Sequence, residues 1–189
     1  MVTLLYAGNL GLGHELETVI RAVWKLGPDG SLKVLIVGNG SAWRQLRELV
    51  ILLRLGNVEF RLPVPLCELS NLLATGDIHL VSQRPGTQGL IVPSKVYGIL
   101  AAGRPVFFVG PSDCESAMIV HDSGSGFVVE PGDVSGAASA LRNLATNADL
   151  RRTMGQSARR YYEEHFGRDK SVSSIVNAIE STGGAGSGT

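Results

Sequence analysis

Apolar and polar positions follow two alternating rhythms along this chain. Short, nearly unbroken apolar runs take turns with longer stretches whose apolar residues recur every three or four positions. Residues 2–7 form the first run and stop at Gly8. Residues 15–26 then place Leu16, Val19, Ile20, Val23 and Leu26 at the spacing of one helix face. Residues 32–37 predict a second strand, ending in Gly38-Asn39-Gly40. A helix follows from a cap at Ser41 to about Leu55, with Trp43, Leu46, Leu49, Val50 and Leu53 facing inward. Residues 58–62 predict a third strand and residues 68–75 a short helix. Residues 78–82 predict a fourth strand, and a loop rich in Gly and Pro covers residues 83–93. A helix over residues 94–102 is stopped by Gly103. Residues 105–109 and 127–129 predict the last two strands, with a short helix at 115–121 between them. Helices over 133–144, 149–164 and 170–180 complete the pattern.

Strands that are each followed by a helix imply parallel pairing with right-handed crossovers. The strands are nearly continuous apolar runs, as in Val34-Leu35-Ile36-Val37 and Val106-Phe107-Phe108-Val109, which is the signature of a sheet covered on both faces. The expected fold class is therefore α/β: a doubly wound, Rossmann-like domain of about six parallel strands with helices on both faces. No internal linker is evident. One domain is expected over residues 1–182, with a flexible tail at 183–189, where glycine dominates.

An open sheet of this kind binds its ligand beyond the carboxyl ends of its strands, where the strand order reverses. In the order 3-2-1-4-5-6 that point lies between strands one and four, so the loops after them face one crevice. The first loop is Gly8-Asn9-Leu10-Gly11-Leu12-Gly13-His14. Glycines allow backbone N–H groups to approach an anion closely, and a following helix start adds partial positive charge. A phosphate suits this loop; a tight turn without ligand is the plain alternative. The spacing is not G-x-G-x-x-G, so the dinucleotide fingerprint is not met. The second loop carries Arg84 and ends in Pro93-Ser94-Lys95 at another helix start. Ser94 can cap the helix or donate to a phosphate. Lys95 is opposed by the helix dipole unless an anion shares its site; a solvated lysine is the alternative. Gly38 ends strand two in the same layer and either shapes the pocket or makes a plain turn.

Other groups are expected to be structural. Asp113 and Glu115 follow strand five as helix caps rather than as an acid and a base. His79 and His121 lie on or near apolar segments and read as structural. Cys67 and Cys114 read as two small buried thiols in a reducing compartment. The basic stretch Trp43-Arg44-Gln45-Leu46-Arg47 with Arg54 reads as a core helix with a wet basic face rather than a membrane-surface helix. No Asp-x-Asp motif is present, and no metal or cofactor is expected. Lys and Arg number 17, and so do Asp and Glu, which argues against a nucleic-acid partner. No signal peptide or apolar run of about 18 residues is evident, so a cytoplasmic protein is expected, or one at the inner face of the membrane.

Several segments together resemble the C-terminal domain of GT-B-fold glycosyltransferases, most like the family 4 group. They are Leu5-Tyr6-Ala7-Gly8-Asn9-Leu10-Gly11, Leu35-Ile36-Val37-Gly38-Asn39-Gly40, Asn57-Val58-Glu59-Phe60, residues 93–106 ending in Ala101-Ala102-Gly103-Arg104-Pro105-Val106, residues 124–133 with Pro131-Gly132-Asp133, and Leu150-Arg151-Arg152-Thr153-Met154-Gly155. The resemblance runs over about residues 2 to 170. It implies that this domain holds a nucleotide sugar, UDP-linked more readily than GDP-linked, at Gly8, Asn9, Gly11, Gly13, His14, Gly38, Arg84, Ser94, Lys95 and Gly98. The leaving diphosphate would meet the N–H groups of residues 11–14, a helix dipole, and Lys95 or Arg84. The family often places Arg and Lys in the first loop; here those positions fall on Asn9 and His14. Many members also carry two glutamates whose positions fall here on Leu90 and Gly98, so the usual carboxylate contact to the ribose is lost. The resemblance begins almost at Met1, leaving no room for the acceptor-binding half. A missing or separate N-terminal domain is expected to supply the acceptor, any catalytic base, and any peripheral contact with a membrane. Two other readings stay open: a non-catalytic nucleotide-sugar-binding module, and half of a UDP-sugar epimerase. An oxidoreductase is disfavoured by the first loop's spacing and the lack of an acid after strand two.

Overall fold

The computed structural model of the chain describes residues 1–28, 30–89 and 94–167. Its elements run β1 (Val2–Ala7), α1 (Glu17–Leu26), β2 (Leu32–Val37), α2 (Trp43–Leu52), β3 (Val58–Arg61), α3 (Leu69–Ala74), β4 (Ile78–Ser82), α4 (Lys95–Ala101), β5 (Val106–Val109), α5 (Glu115–Ser123), β6 (Gly126–Val129), α6 (Val134–Thr146) and α7 (Ala148–His165). A short 3₁₀ turn, Leu66–Glu68, leads into α3. The six strands form one sheet in the order β3-β2-β1-β4-β5-β6, every pair parallel. The order reverses between β1 and β4, where Leu4 pairs with Ile78 and Leu5 with His79.

Side chains alternate across the sheet, and the two faces are filled differently. Leu4, Tyr6, Val34, Ile36, Ile78, Leu80, Phe107 and Val109 belong to one continuous core with α1, α2 and α6. The opposite face holds two separate clusters. Val81, Val106 and Phe108 pack with Val96, Ile99 and Leu100 of α4, with Val120 of α5 and with Ala158 of α7. Leu5, Leu35 and Val37 pack with Leu72 of α3. The break falls at the reversal point, because the crossovers on its two sides carry their helices away from it.

Several element starts differ from the sequence pattern, each for a local reason. α1 opens at Glu17 because the Glu15 carboxylate accepts the Thr18 N–H at 2.9 Å, taking an amide of the first turn. Ser41 does not cap α2. The N-cap is Ala42, whose amide donates to the Leu10 carbonyl at 3.0 Å, so the neighbouring loop holds the helix start. Ser94 is the N-cap of α4 but makes no side-chain cap bond. Asp113 and Glu115 do not cap α5, whose N-cap is Cys114. Asp113 instead accepts from Gln88 at 3.4 Å, and Glu115 accepts from the Tyr97 hydroxyl at 2.7 Å. That bond and partial burial push the Tyr97 phenol up to about 12. Asp133 does cap α6, accepting the Gly136 N–H at 2.8 Å. Cys114 is buried, but Cys67 is exposed, on the 3₁₀ turn before α3. His121 is also exposed, beside Asp122 at 3.3 Å. The basic residues Arg44 and Arg47 are exposed on α2, whose Leu46 and Val50 are buried. The expected helix at 170–180, the tail at 183–189, Leu90 and Pro93 lie outside the described residues.

His79 is structural, and it carries a pH consequence. Its side chain is 2% exposed, under Gly76 and against Leu5, with Nε2 unpartnered among the described residues. Burial lowers its pKa to about 4, against the opposing effect of a backbone hydrogen bond with Leu73. The folded value lies below the unfolded one, so as pH falls the unfolded chain takes up the proton first. Its contribution is whole above about pH 6.5 and shrinks as pH falls toward 4, by about 3 kcal/mol in all. Urea unfolding between pH 7 and 4.5 is expected to show a steeper loss in the native chain than in His79→Leu. Parallel stability curves for the two would refute this.

Candidate functional site

At the carboxyl ends of β1 and β4 the gap between the two clusters opens into a cleft of about 430 Å³. Its rim holds Gly8 and Asn9 after β1, Gly38 and Asn39 after β2, and Ser94, Lys95 and Gly98 at the start of α4. Its walls are apolar, from Leu5, Val37, Pro63, Val64, Leu69, Leu72 and Ile99, and the buried His79 lies on its floor. Among the described residues no carboxylate lines it.

Two glycines set the geometry of the rim. Gly38 sits at φ +155°, and a Cβ there would strike the backbone carbonyl of Gly8. The strand-end loops are therefore stitched together: the Gly8 amide donates to Val37 at 2.8 Å and the Leu10 amide to Asn39 at 2.6 Å. Gly8 sits at φ +146°, and a Cβ there would fall on Cε and Nζ of Lys95. The missing side chain is the channel through which Lys95 reaches the first loop.

Lys95 crosses from α4 to β1. Its Nζ lies 4.4 Å from the centroid of the Tyr6 ring and donates to the Tyr6 hydroxyl at 3.2 Å. That hydroxyl donates to the Asn9 carbonyl at 2.9 Å. Burial lowers the Lys95 ammonium to about 8 and raises the Tyr6 phenol far above its usual range. The aromatic face offsets part of the cost of withdrawing the ammonium from water. His14 stands edge-on to Tyr6 at 5.9 Å, its Nδ1 3.0 Å from the Ser82 carbonyl oxygen. Burial first, and then the Lys95 charge, hold it below the ordinary histidine pKa, which favours the neutral ring near pH 7.

The loops after β1 and β4 meet as the sequence predicts, and the Arg84 amide donates to the Gly13 carbonyl at 2.8 Å. The predicted residues do not all share one cavity, however. Gly8, Asn9, Gly38, Ser94, Lys95 and Gly98 line the cleft. His14 and Arg84 line a separate recess of about 250 Å³, beside α2 and with Glu15. Gly11 and Gly13 lie on the loop between the two. The His14 amide is taken by the Gly11 carbonyl at 3.2 Å, whereas those of Gly11, Leu12 and Gly13 make no hydrogen bond among the described residues. The Glu15 carboxylate at the start of α1 weakens the appeal of that helix end to an anion. Positive charge at the cleft is thus carried by Lys95. Gly98 faces open space, with nothing within 4 Å of a Cβ built there. Tyr6 was not legible as a site residue, since a tyrosine inside an apolar run reads as core, and it is indeed fully buried. The Pro63–Leu72 wall was missed because its residues carry no chemical signal of their own.

A family model described as glycosyl transferases group 1 matches residues 2–147. WcaI of Escherichia coli (strain K12), named as a glycosyl transferase of colanic acid biosynthesis, is 30% identical over 177 residues, covering 93% of this chain and 42% of WcaI. The chain spans less than half the length of the curated relatives it matches, between 32% and 43%. Among solved structures, sucrose-phosphate synthase from Thermosynechococcus elongatus superposes with a TM-score of 0.80 at 19% identity, over 97% of this chain and 46% of that one. HepE from Anabaena, solved with UDP-glucose, superposes with a TM-score of 0.77 at 18% identity, over 95% and 48%. At such identities these two establish the shared fold.

Proposed function

The chain belongs to the group 1 glycosyl transferases, and from that premise we propose that its cleft holds the donor, a nucleoside diphosphate sugar carrying UDP in preference to GDP. The observation that carries this reading is the Lys95 ammonium set against the first loop with no carboxylate to neutralise it among the described cleft residues. In the proposal the diphosphate lies between Lys95 and the amides of residues 11–13, and the base lies against the apolar wall of Val37, Pro63, Val64 and Leu69. HepE, a protein of the same fold solved with UDP-glucose, supports the choice of uridine.

The mechanism proposed is stabilisation of the leaving diphosphate by charge and dipoles already in place. Each charge-assisted hydrogen bond contributes about 1.5–3 kcal/mol. No metal is assigned a part. The acceptor, and any base that activates it, would come from a second domain facing the cleft. The absence of a carboxylate among the described cleft residues favours that division of labour, and it also supports the reading of a binding module that needs a partner half to turn over. The relation to WcaI, named for colanic acid biosynthesis, supports a part in polysaccharide biosynthesis.

Calorimetric titration of the chain with UDP, GDP and NAD tests the proposal. Saturable UDP binding, tighter than GDP, is the expected result. Binding of NAD with no response to either nucleoside diphosphate would reject it.

A further inference from the structure

The cleft's one ammonium among the described residues reaches the first loop by way of a residue that no ligand can touch. Tyr6 is fully buried, and its hydroxyl is a junction: it accepts from Lys95 at 3.2 Å and donates to the Asn9 carbonyl at 2.9 Å. The ring supplies the surface on which the ammonium rests, at 4.4 Å. We infer that Tyr6 is a positioning residue, which fixes the Lys95 charge at the first loop and the first loop at the charge. The inference rests on the diphosphate reading of the cleft and adds how the charge gets there.

A lysine on a flexible four-carbon stem loses rotamer freedom when it grips an anion, and a lysine already held on an aromatic face has lost it beforehand. The Asn9 carbonyl belongs to the loop whose amides would meet the diphosphate. One hydroxyl bonded to both therefore fixes the spacing between ammonium and amides. Finally, Gly8 leaves open the path that the Lys95 side chain takes.

This arrangement makes donor binding depend on pH through one group of the protein. The charged and titratable groups near Lys95 are few. Tyr6 lies under it and stays neutral. His14 stands across the first loop, held below its ordinary pKa. His79, on the floor, is neutral above about pH 4. Glu15 and Arg84 lie in the neighbouring recess, Asp113 accepts from Gln88, and Glu115 holds the Tyr97 hydroxyl on α4. Lys95 in the empty cleft titrates near 8. A bound diphosphate raises that value, so the Lys95 contribution to affinity is full below about pH 8 and falls as pH rises through it, while the terminal phosphate of UDP, which titrates at about 6, acts alike on both proteins. In Tyr6→Phe the ring remains but the oxygen is gone. The buried ammonium is then less well solvated, and its titration moves to lower pH.

The test is titration of the 189-residue chain with UDP at half-unit steps from pH 6 to 9, for the native protein and Tyr6→Phe. The expected result is a midpoint displaced downward by half a unit or more in Tyr6→Phe. The affinity loss from titration is then about twofold near pH 8, approaches about threefold or more above it, and is negligible at pH 6. Two profiles of the same shape, offset by one constant factor, assign Tyr6 a packing role only and overturn the inference. Failure of the native chain to bind UDP at any pH would instead strike the diphosphate reading. Should Tyr6→Phe melt too low to titrate, the native chain serves: the Lys95 ε-methylene protons are expected to be shifted upfield by the Tyr6 ring current in the free protein and to keep that shift when UDP binds. Lys95 resonances at the positions of a free lysine overturn the inference.

Discussion

Lys95→Ala is expected to weaken UDP binding by roughly 10- to 100-fold, with little change in thermal stability. The magnitude follows from losing one charge-assisted bond, about 1.5–3 kcal/mol, in a partly buried site. The stability expectation follows from the burial of the ammonium. Its pKa is lowered to about 8, which means that folding makes the charged form costlier, and alanine removes that cost along with the aliphatic contacts. A nucleotide titration and a melting curve on the same sample separate the two effects. An unchanged affinity would remove the residue on which the functional proposal stands. A large fall in melting temperature with no specific loss of affinity would reassign Lys95 to the structure. Arg84→Ala is the internal comparison. Arg84 is exposed and lines the recess beside α2, not the cleft, so its loss is expected to matter much less.

The sheet was legible in the sequence because its signal is redundant. Five of the six strands are mainly apolar runs, β3 with Glu59 and Arg61 being the exception, and most are followed by a helical stripe, so the parallel order and the reversal between β1 and β4 follow from general topology. Helix starts were less legible. Ser41 and Ser94 have the chemistry of caps, yet the bonds at those ends are decided by residues distant in sequence, such as the Leu10 carbonyl that takes the Ala42 amide. The site was legible as two loops but not as a geometry. The sequence treats Arg84 and Lys95 as alternative cations on the same loop. Only the fold turns one into the cleft and leaves the other beside α2. Tyr6 was invisible for a deeper reason. In a run such as Leu4-Leu5-Tyr6-Ala7 the phenol looks like hydrophobic filling. The hydroxyl acquires meaning only when Lys95, from another element, and the Asn9 carbonyl converge on it. A first loop lacking the family's cations reads as a weakened site in the sequence, whereas in three dimensions the charge arrives from α4.

That relocation of charge depends on two glycines, and replacing each by alanine should fail in a different way. At Gly38 the new Cβ meets the backbone of Gly8, which cannot move without parting β1 from β2. Steric crowding and an unfavourable φ each cost about 1–3 kcal/mol, so Gly38→Ala should lower the melting temperature by roughly 10 °C. At Gly8 the obstacle is the far end of Lys95, a flexible chain that can leave. Gly8→Ala still bears an unfavourable φ, but its larger effect should be on binding, because the ammonium must vacate the ring of Tyr6. The expected signature is an affinity loss comparable to that of Lys95→Ala and almost no further loss when the two substitutions are combined, since each removes the same contact. If the double variant instead lost the product of the two single factors, Gly8 would be acting on the donor directly. The channel through which Lys95 crosses to the first loop would then be a by-product of the turn.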